Sequence, residues 1–499
     1  MDPMSDAGLP YEIWIGLEVH VQLLTESKLF CGCSTRFGAP PNTQTCPVCI
    51  GMPGVLPVMN RRAVELALRA ALALNCRIAR LTKWDRKQYY YPDLPKGYQI
   101  SQYDLPIGSD GYLEIEDPKG RFSAKRIGIQ RVHLEEDAGK SMHDEKAGVA
   151  DSRIDLNRAG TPLLEIVSRP DIRSPEEAKA YLEELKLLMW YLAVSDCNMQ
   201  EGSLRVDANI NIQIPTPDGP VATPIVEVKN MNSFRAVERA MAYEAQRQYE
   251  QYLQTGRKKG DPGTHKTTRL WDDAAEITRP MRSKEESSDY RYFPDPDLVP
   301  VVFTEEQIES ARQALGELPA SLRRRLQTDW GLSAYDAQVL VGQGREFVDY
   351  FLQVAQSCGD PKLASNWMQQ DVLRWLNERG ISIRQYPVSA EQLARLLGKV
   401  RQGELTTSRA REVLAQMVAE GCSMEAAIQA LGITQVDESE LLALCEQLVR
   451  ENPKIVAEVR QGKLKAVGAL VGQAKKKNPN VDPARVQALC LKLIQDSGQ

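Results

Sequence analysis

Four stretches between residues 13 and 230 place metal-capable polar side chains on one face of a β-strand. From Ile13 to Leu23 the residues Ile13, Ile15, Leu17, Val19 and Val21 alternate with Trp14, Gly16, Glu18, His20 and Gln22, so a period of two sets Glu18 and His20 side by side. From Arg205 to Ile214 the apolar positions are Val206, Ala208, Ile210 and Ile212, and Arg205, Asp207, Asn209 and Asn211 point the other way. A third strand, around Ile225 to Lys229, pairs Glu227 with Lys229, and a fourth ends in HLEED, His133 to Asp137. Carboxylates on rigid strands beside Arg and Lys suit a divalent cation bridging polyphosphate, because hard cations take oxygen ligands and the bases hold phosphate. A lone acidic residue at a strand end is usually just solvated; four convergent strands are not. Lys87 in DRKQYYYPD is the candidate for a phosphate contact, with Arg205 and Lys229 able to serve in the same way.

A second constellation is made of thiols. Cys31 and Cys33 form CxC, twelve residues intervene, and Cys46 and Cys49 form CPVC. Two close pairs supply four soft ligands for tetrahedral Zn²⁺ and leave no open position for catalysis. The other six cysteines, Cys76, Cys197, Cys358, Cys422, Cys445 and Cys490, are scattered and read as small buried hydrophobes.

Some signals mislead. Gly139, Lys140 and Ser141 imitate the end of a phosphate-binding loop, but its first glycine would have to stand where Leu134 is. No GxGxxG follows a strand, so ATP is expected on a sheet face and not at a glycine-rich helix start. With Met1 and Asp2 at the start and no recognisable Ser-Lys or Ser-His pair, a glutaminase nucleophile is not expected.

The elements that position these residues fall into three segments of a 499-residue chain. Residues 1–298 mix strands with helices such as Arg61 to Leu74 and one after Ser174, where Ser174 as N-cap, Pro175 at the first helical position and Glu177 predict a capping box. The proline-rich FPDPDLVP, Phe293 to Pro300, marks an edge. Residues 299–402 are patterned as helices, and 403–499 form a tail of short helices with caps expected at Ser408, Ser423 and Asp437. From Pro387 onward there is no Phe, Tyr or Trp, so contact of this lysine-bearing tail with RNA would be to shape and phosphate, not to stacked bases. Gly468 and Gly472, four apart on one helix face, permit close backbone approach to a neighbouring helix or to a phosphate chain. A net charge of −5 gives no global attraction to nucleic acid. The chain shows no targeting pattern and no membrane-length apolar run, so a cytoplasmic protein without membrane contact is expected.

Seven motifs carry a resemblance to a known family: GLEVHVQL from Gly16, YYYPDLPKGYQISQYDLPI from Tyr89, HLEEDAGKSMH from His133, DLNRAGTPLLEIVSRPDIRSPEEA from Asp155, EGSLRVDANIN from Glu201, EVKNMNSFRAVERA from Glu227 and DYRYFPDPDLVP from Asp289. Together they closely resemble the GatB family, the B-subunit of the bacterial glutamyl-/aspartyl-tRNA amidotransferase. The resemblance implies an α+β cradle domain related to glutamine synthetase and guanidino kinases, then an all-α helical domain and a small all-α YqeY-like tail that binds tRNA. It implies ATP-dependent phosphorylation of the side-chain carboxylate of Glu-tRNA(Gln) or Asp-tRNA(Asn), followed by amidation, with ammonia from the family's amidase A-subunit, held with a small C-subunit in a heterotrimer. It carries the Mg²⁺ and nucleotide ligands onto Glu18, His20, Glu136, Asp207 and Glu227. The strand pattern by itself leaves Glu135 and Glu136 as alternatives, because apolar parity switches between Ile129 and Val132. A zinc-containing RNA-binding scaffold without chemistry and a free-standing carboxylate–amine ligase are the rival readings. The first has no use for the polar strand face and the second none for the lysine-rich tail.

Overall fold

In the computed structural model, which describes residues 10–143, 152–281, 290–434, 437–478 and 480–496, the alternating stretches become strands of one large sheet. Among the described residues its strands are β1 (Glu12–Gln22), β2 (Arg77–Ile78), β3 (Gly108–Ile115), β4 (Lys125–Glu136), β5 (Pro162–Ser168), β6 (Leu204–Ile214), β7 (Val221–Ala222), β8 (Val226–Lys229), β9 (Thr267–Asp272) and β10 (Ile277–Pro280). Their spatial order is β10-β9-β8-β6-β1-β5-β4-β3-β2, with β7 paired to β6. The β8–β9 pair is parallel and the other pairs are antiparallel.

One face of this sheet is the core. Ile13, Ile15, Leu17, Val19 and Val21 of β1 and Val206, Ala208, Ile210 and Ile212 of β6 are buried there with Leu66, Leu182, Leu185, Val237 and Met241, which come from helices α1 (Arg61–Ala73), α2 (Pro175–Tyr191) and α3 (Phe234–Thr255). Burying one such side chain contributes about 1.5–3 kcal/mol. A slip of one residue would turn the whole set to the other face, so the core fixes the register and the register fixes the polar face. At the start of α2 the Ser174 hydroxyl accepts the Glu177 N–H at 3.1 Å as expected. The reciprocal bond differs: the Glu177 carboxylate reaches past the cap to the Arg173 N–H at 2.8 Å, drawn there by Lys125 of β4 at 2.9 Å.

The FPDPDLVP segment is part of this first compact unit, which extends to Leu322. Phe293–Pro294 pairs with Asp85–Gln88, which pairs in turn with Tyr98–Ser101, forming a three-stranded sheet. Val301–Val302 pairs with Leu81–Thr82, and Phe303 and Ile308 join the main core. Proline lacks the N–H a central strand needs, and Pro294 sits on a short edge pairing, where that lack costs little. Asp289, which opens the last motif, lies outside the described residues.

The second unit, Arg323–Gln499, is helical throughout its described residues and compact across Gly403, which turns the chain at φ 75° between helices Ala390–Arg401 and Thr407–Glu420. The cap of the latter helix is Thr406, not Ser408. In the run TTS the first threonine is the one whose hydroxyl meets the N–H three residues on, at Arg409. Ser423 caps its helix by a side-chain bond, and Asp437 holds the N-cap position without one. Gly468 and Gly472 lie on helix Val467–Lys477, yet a Cβ built on either meets nothing within 4 Å. No neighbouring helix among the described residues takes up that space, because Val467, Leu470 and Ala474 form the buried side of that helix. Among the described residues no helix is long and apolar enough to cross a membrane.

Candidate functional site

The polar face of the large sheet gathers its charges in two adjoining groups. In β1, Glu18 and His20 stand about 7 Å apart along the strand. His20 lies opposite Arg205 of β6 on one side and Glu165 of β5 on the other, and Glu165 lies opposite His133 of β4. The first group follows from this row. His20 Nε2 is 3.6 Å from Glu165 Oε2 and 3.8 Å from Glu135 Oε1, and His133 Nε2 is 3.2 Å from Glu165 and 3.7 Å from Glu135. Ligand atoms of His20, Glu135 and Glu165 all lie within 4.8 Å of one another, close enough to share a cation. Burial works against the His133 cation, but Glu165 and Glu135 outweigh it and lift its pKa to about 9. His20 is raised for the same reasons. Burial would push the two carboxyls up, but their histidine and lysine neighbours hold both below the ordinary range, Glu165 well below.

Lys87 reaches this group from the Asp85–Gln88 strand, which the neighbouring Tyr98–Ser101 strand braces on β4. Gln99 donates to the Glu136 carbonyl at 2.7 Å, and Ser101 Oγ lies 3.3 Å from Glu135 Oε2. Burial opposes the Lys87 ammonium, yet Glu135, Tyr292, Glu165 and Tyr290 together raise its pKa. The rings of Tyr290 and Tyr89 lie 5.1 and 6.0 Å from its nitrogen. Lys87 is therefore a cation whose charge is felt by the carboxylates of this group. Arg205 is held by Asp137 at 2.6 Å, and Asp137 also takes Gln22 Nε2 at 2.7 Å and stands 3.5 Å from Arg158 Nε.

The second group occupies β6, β8 and β1. Glu18 pairs in register with Asp207 and accepts Asn209 Nδ2 at 2.8 Å. Lys229 lies between Asp207 at 2.5 Å and Glu227 at 3.3 Å, and Glu227 also takes the Thr268 hydroxyl at 3.0 Å. Burial would raise Glu227, but Lys229, Lys266 and Thr268 leave it below the usual carboxylate range.

Glu136 is in neither group. It accepts the Ile100 N–H at 2.9 Å and pairs with Lys96, on the side of β4 away from His20. The cause is a bulge. Val167 faces Arg131 and Ser168 faces Ile129, so Gln130 is an extra residue in β4. Before it Ile127 and Ile129 enter the core; after it Val132 and Leu134 do, and His133 and Glu135 take the polar face. Glu135 thus stands where Glu136 was expected. Glu165 was not expected as a site residue, and His133 entered only as the first residue of HLEED and not among the ligands. In PLLEIVS every position but one is buried, so no alternation marks the face; the only signal is a single charge inside an apolar run.

Four buried atoms on or beside this face have no hydrogen-bond partner among the described residues: Arg131 Nε, His133 Nδ1, Arg205 Nε and Asn209 Oδ1. Each is costly unless something polar meets it. A face of carboxylates and bases with donors in reserve fits a divalent ion together with an anionic substrate.

On the far side of Glu136 lies the thiol cluster. Cys31, Cys33, Cys46 and Cys49 bring their sulfurs within 4.8 Å of one another, as the spacing predicts, and could hold one metal ion. A hydrogen bond from Cys31, aided by the Cys46 backbone and Lys28, holds the Cys49 thiol down at about 4, while burial pushes Cys33 up to about 11. A cavity of about 200 Å³ separates this cluster from β4, lined by Lys28, Cys49, Arg86, Lys96 and Glu136 among others. Of the scattered cysteines, Cys76, Cys197, Cys358, Cys445 and Cys490 are buried and Cys422 is partly so.

Two family models match the chain: the GatB/GatE catalytic domain over residues 13–309 and the GatB domain over residues 349–494. The B-subunit of the aspartyl/glutamyl-tRNA(Asn/Gln) amidotransferase of Rhodopirellula baltica is 57% identical over 485 residues, covering 97% of each chain. The protein of that name in Caldanaerobacter subterraneus subsp. tengcongensis is 49% identical over 94% of this chain and 96% of its own. That of Thermodesulfovibrio yellowstonii is 45% identical over 98% of this chain and all of its own.

Proposed function

Because the chain belongs to the GatB family, the B-subunits of aspartyl/glutamyl-tRNA(Asn/Gln) amidotransferases, we propose that it carries the ATP-dependent half of the reaction on the polar face of its large sheet. A carboxylate is a poor acyl donor because oxide is a poor leaving group. Its oxygen first attacks the γ-phosphorus of ATP and ADP departs; ammonia then attacks the carbonyl carbon and phosphate leaves with the former carboxylate oxygen. Glu-tRNA(Gln) and Asp-tRNA(Asn) present the same group at different reach.

The residues divide this work. Glu18, Asp207 and Glu227, with His20, Glu135 and Glu165 beside them, would hold Mg²⁺, which when bound neutralises polyphosphate charge. Arg205, oriented by Asp137, and Lys87 direct positive charge at the transferring phosphoryl group. Lys229 keeps Asp207 and Glu227 from repelling each other and offers a further phosphate contact. The observation that carries the reading is the convergence of these groups on one face with buried donors left unpartnered among the described residues. A scaffold without chemistry has no reason to keep them so.

Ammonia comes from partners, an amidase A-subunit with a small C-subunit, and the activated carboxylate must meet it before water does. The thiol cluster holds a structural Zn²⁺. The chain acts in the cytoplasm as three parts: a cradle, a helical domain and a YqeY-like tail that contacts tRNA through lysines. The test is amide formation on Glu-tRNA(Gln) and on Asp-tRNA(Asn) by the chain with and without its partners. ATP-dependent product on at least one substrate is expected, and γ-phosphate release that ignores charged tRNA would overturn the assignment.

A further inference from the structure

Lys28 is a buried cation that the proposed reaction does not use. Its exposure is 0%, unusual for lysine because an ammonium removed from water needs a partner. It has two. Nζ donates to Cys49 Sγ at 3.5 Å and to the Leu156 carbonyl at 3.3 Å. Cys49 Sγ also accepts the Cys46 N–H at 3.2 Å. The stem of Lys28 passes Gly160 so closely that a Cβ there would lie 3.5 Å from Cδ, and the next residue, Leu29, donates its N–H to the Gly160 carbonyl at 2.8 Å. Lys28 therefore joins the thiol loop to the 156–160 turn, whose Arg158 stands beside Asp137.

Four thiolates around one divalent ion leave two negative charges, and at Cys49, the buried one of the four, little water meets them. Such charge is tolerated only where donors meet it. Resting on the reading of the thiols as a closed zinc site, we propose that Lys28 is its charge-compensating positioning residue: the ammonium draws electron density from the Cys49 sulfur and pins the metal loop to the 156–160 turn.

The test uses the full chain purified with its zinc. Lys28→Met keeps the length of the side chain without charge or donor, and Lys28→Gln keeps a donor without charge. Transfer of zinc to a coloured chelator should be about tenfold faster from the Met variant, with Gln between it and wild type. In the cobalt-substituted chain the sulfur-to-metal charge-transfer band should move to longer wavelength in the Met variant and less in Gln, because an uncompensated thiolate gives up its electron more readily. Zinc release at the wild-type rate from both variants overturns the proposal. So does faster release with an unmoved band, which would make Lys28 packing only. Should Lys28→Met not fold, the Gln variant carries both measurements. A wild-type chain without zinc overturns the zinc reading itself and the role of Lys28 with it, an outcome distinct from unchanged release in a zinc-bearing chain.

Discussion

In the first unit, charged side chains lie within a sheet and hold one another across strands far apart in sequence; in the second, many pair within one or two turns of the same exposed helix. His20, Glu135, Glu165 and His133 meet only because β1, β5 and β4 lie side by side. Arg395–Glu391, by contrast, is an i,i+4 pair with both partners more than half exposed. Such exposed pairs are worth about 0.2–1 kcal/mol and are screened by salt. Their loss changes little, whereas removing one member of a buried group strands the others. Chemistry that requires fixed distances sits on the register of a packed sheet, and a surface that meets a long polyanion can be assembled from local helices.

That contrast can be broken at four points. The largest effect is expected from Asp207→Asn and Glu227→Gln, which keep size and strand position but remove charge from the face. ATP-dependent amide formation should fall by at least about 10²-fold, while glutamine hydrolysis by the partner persists and the fold is retained. Either variant phosphorylating charged tRNA at the wild-type rate would show that these strands do not hold the metal.

Asp336, like Asp371, departs from this in the helical unit. It is buried and accepts Lys362 at 2.5 Å, Ser333 at 2.6 Å and Gln369 at 3.0 Å. Asp336→Asn should cost about 1.5–3 kcal/mol in urea unfolding. Burial would raise this carboxyl, but its three partners depress it. Its stabilisation is therefore complete above the ordinary Asp value of about 3.9 and lost as pH falls through the lower folded value. The gap between wild type and variant should close in acid; a gap that widens there would contradict this sign.

A moderate effect is expected from removing residues 437 onward, whose apolar cluster of Leu441, Cys445, Leu448, Leu470, Val486 and Ile494 is its own. tRNA affinity should drop and its salt dependence flatten, as when lysine–phosphate contacts are lost. Equal binding at several salt concentrations would make the tail a protein-binding module. The smallest change belongs to Gly468→Ala and Gly472→Ala. With open space at each Cβ, these should stabilise the helix by about 0.4–1 kcal/mol each, unless tRNA backbone approaches there, in which case binding weakens while the melting temperature rises.

What could be read from sequence follows from how each residue is positioned. Glu18, His20, Asp207, Glu227 and Lys229 stand on strands with one apolar and one polar face, where period two suffices. The thiols were legible from spacing and the α2 start from its cap. Glu165 was not, since β5 lies between β1 and β4 with nearly every side chain enclosed, and alternation vanishes when both faces are covered. The choice between Glu135 and Glu136 depended on pairing with β5, which no local pattern contains. The glycines at 468 and 472 suggested contact, but what surrounds a helix face is set by the elements packed near it.

Gln130 gives the length of β4 a meaning apart from its composition. Deleting this one solvent-facing residue changes no side chain in the cluster, yet it would restore an unbroken pleat and rotate everything beyond it by half a turn. Val132 and Leu134 would then project among the charges, and His133 and Glu135 into the core. A loss of three nucleotides at that codon should silence the protein more completely than any replacement there, so this strand should tolerate spelling changes at residue 130 but not a change in count.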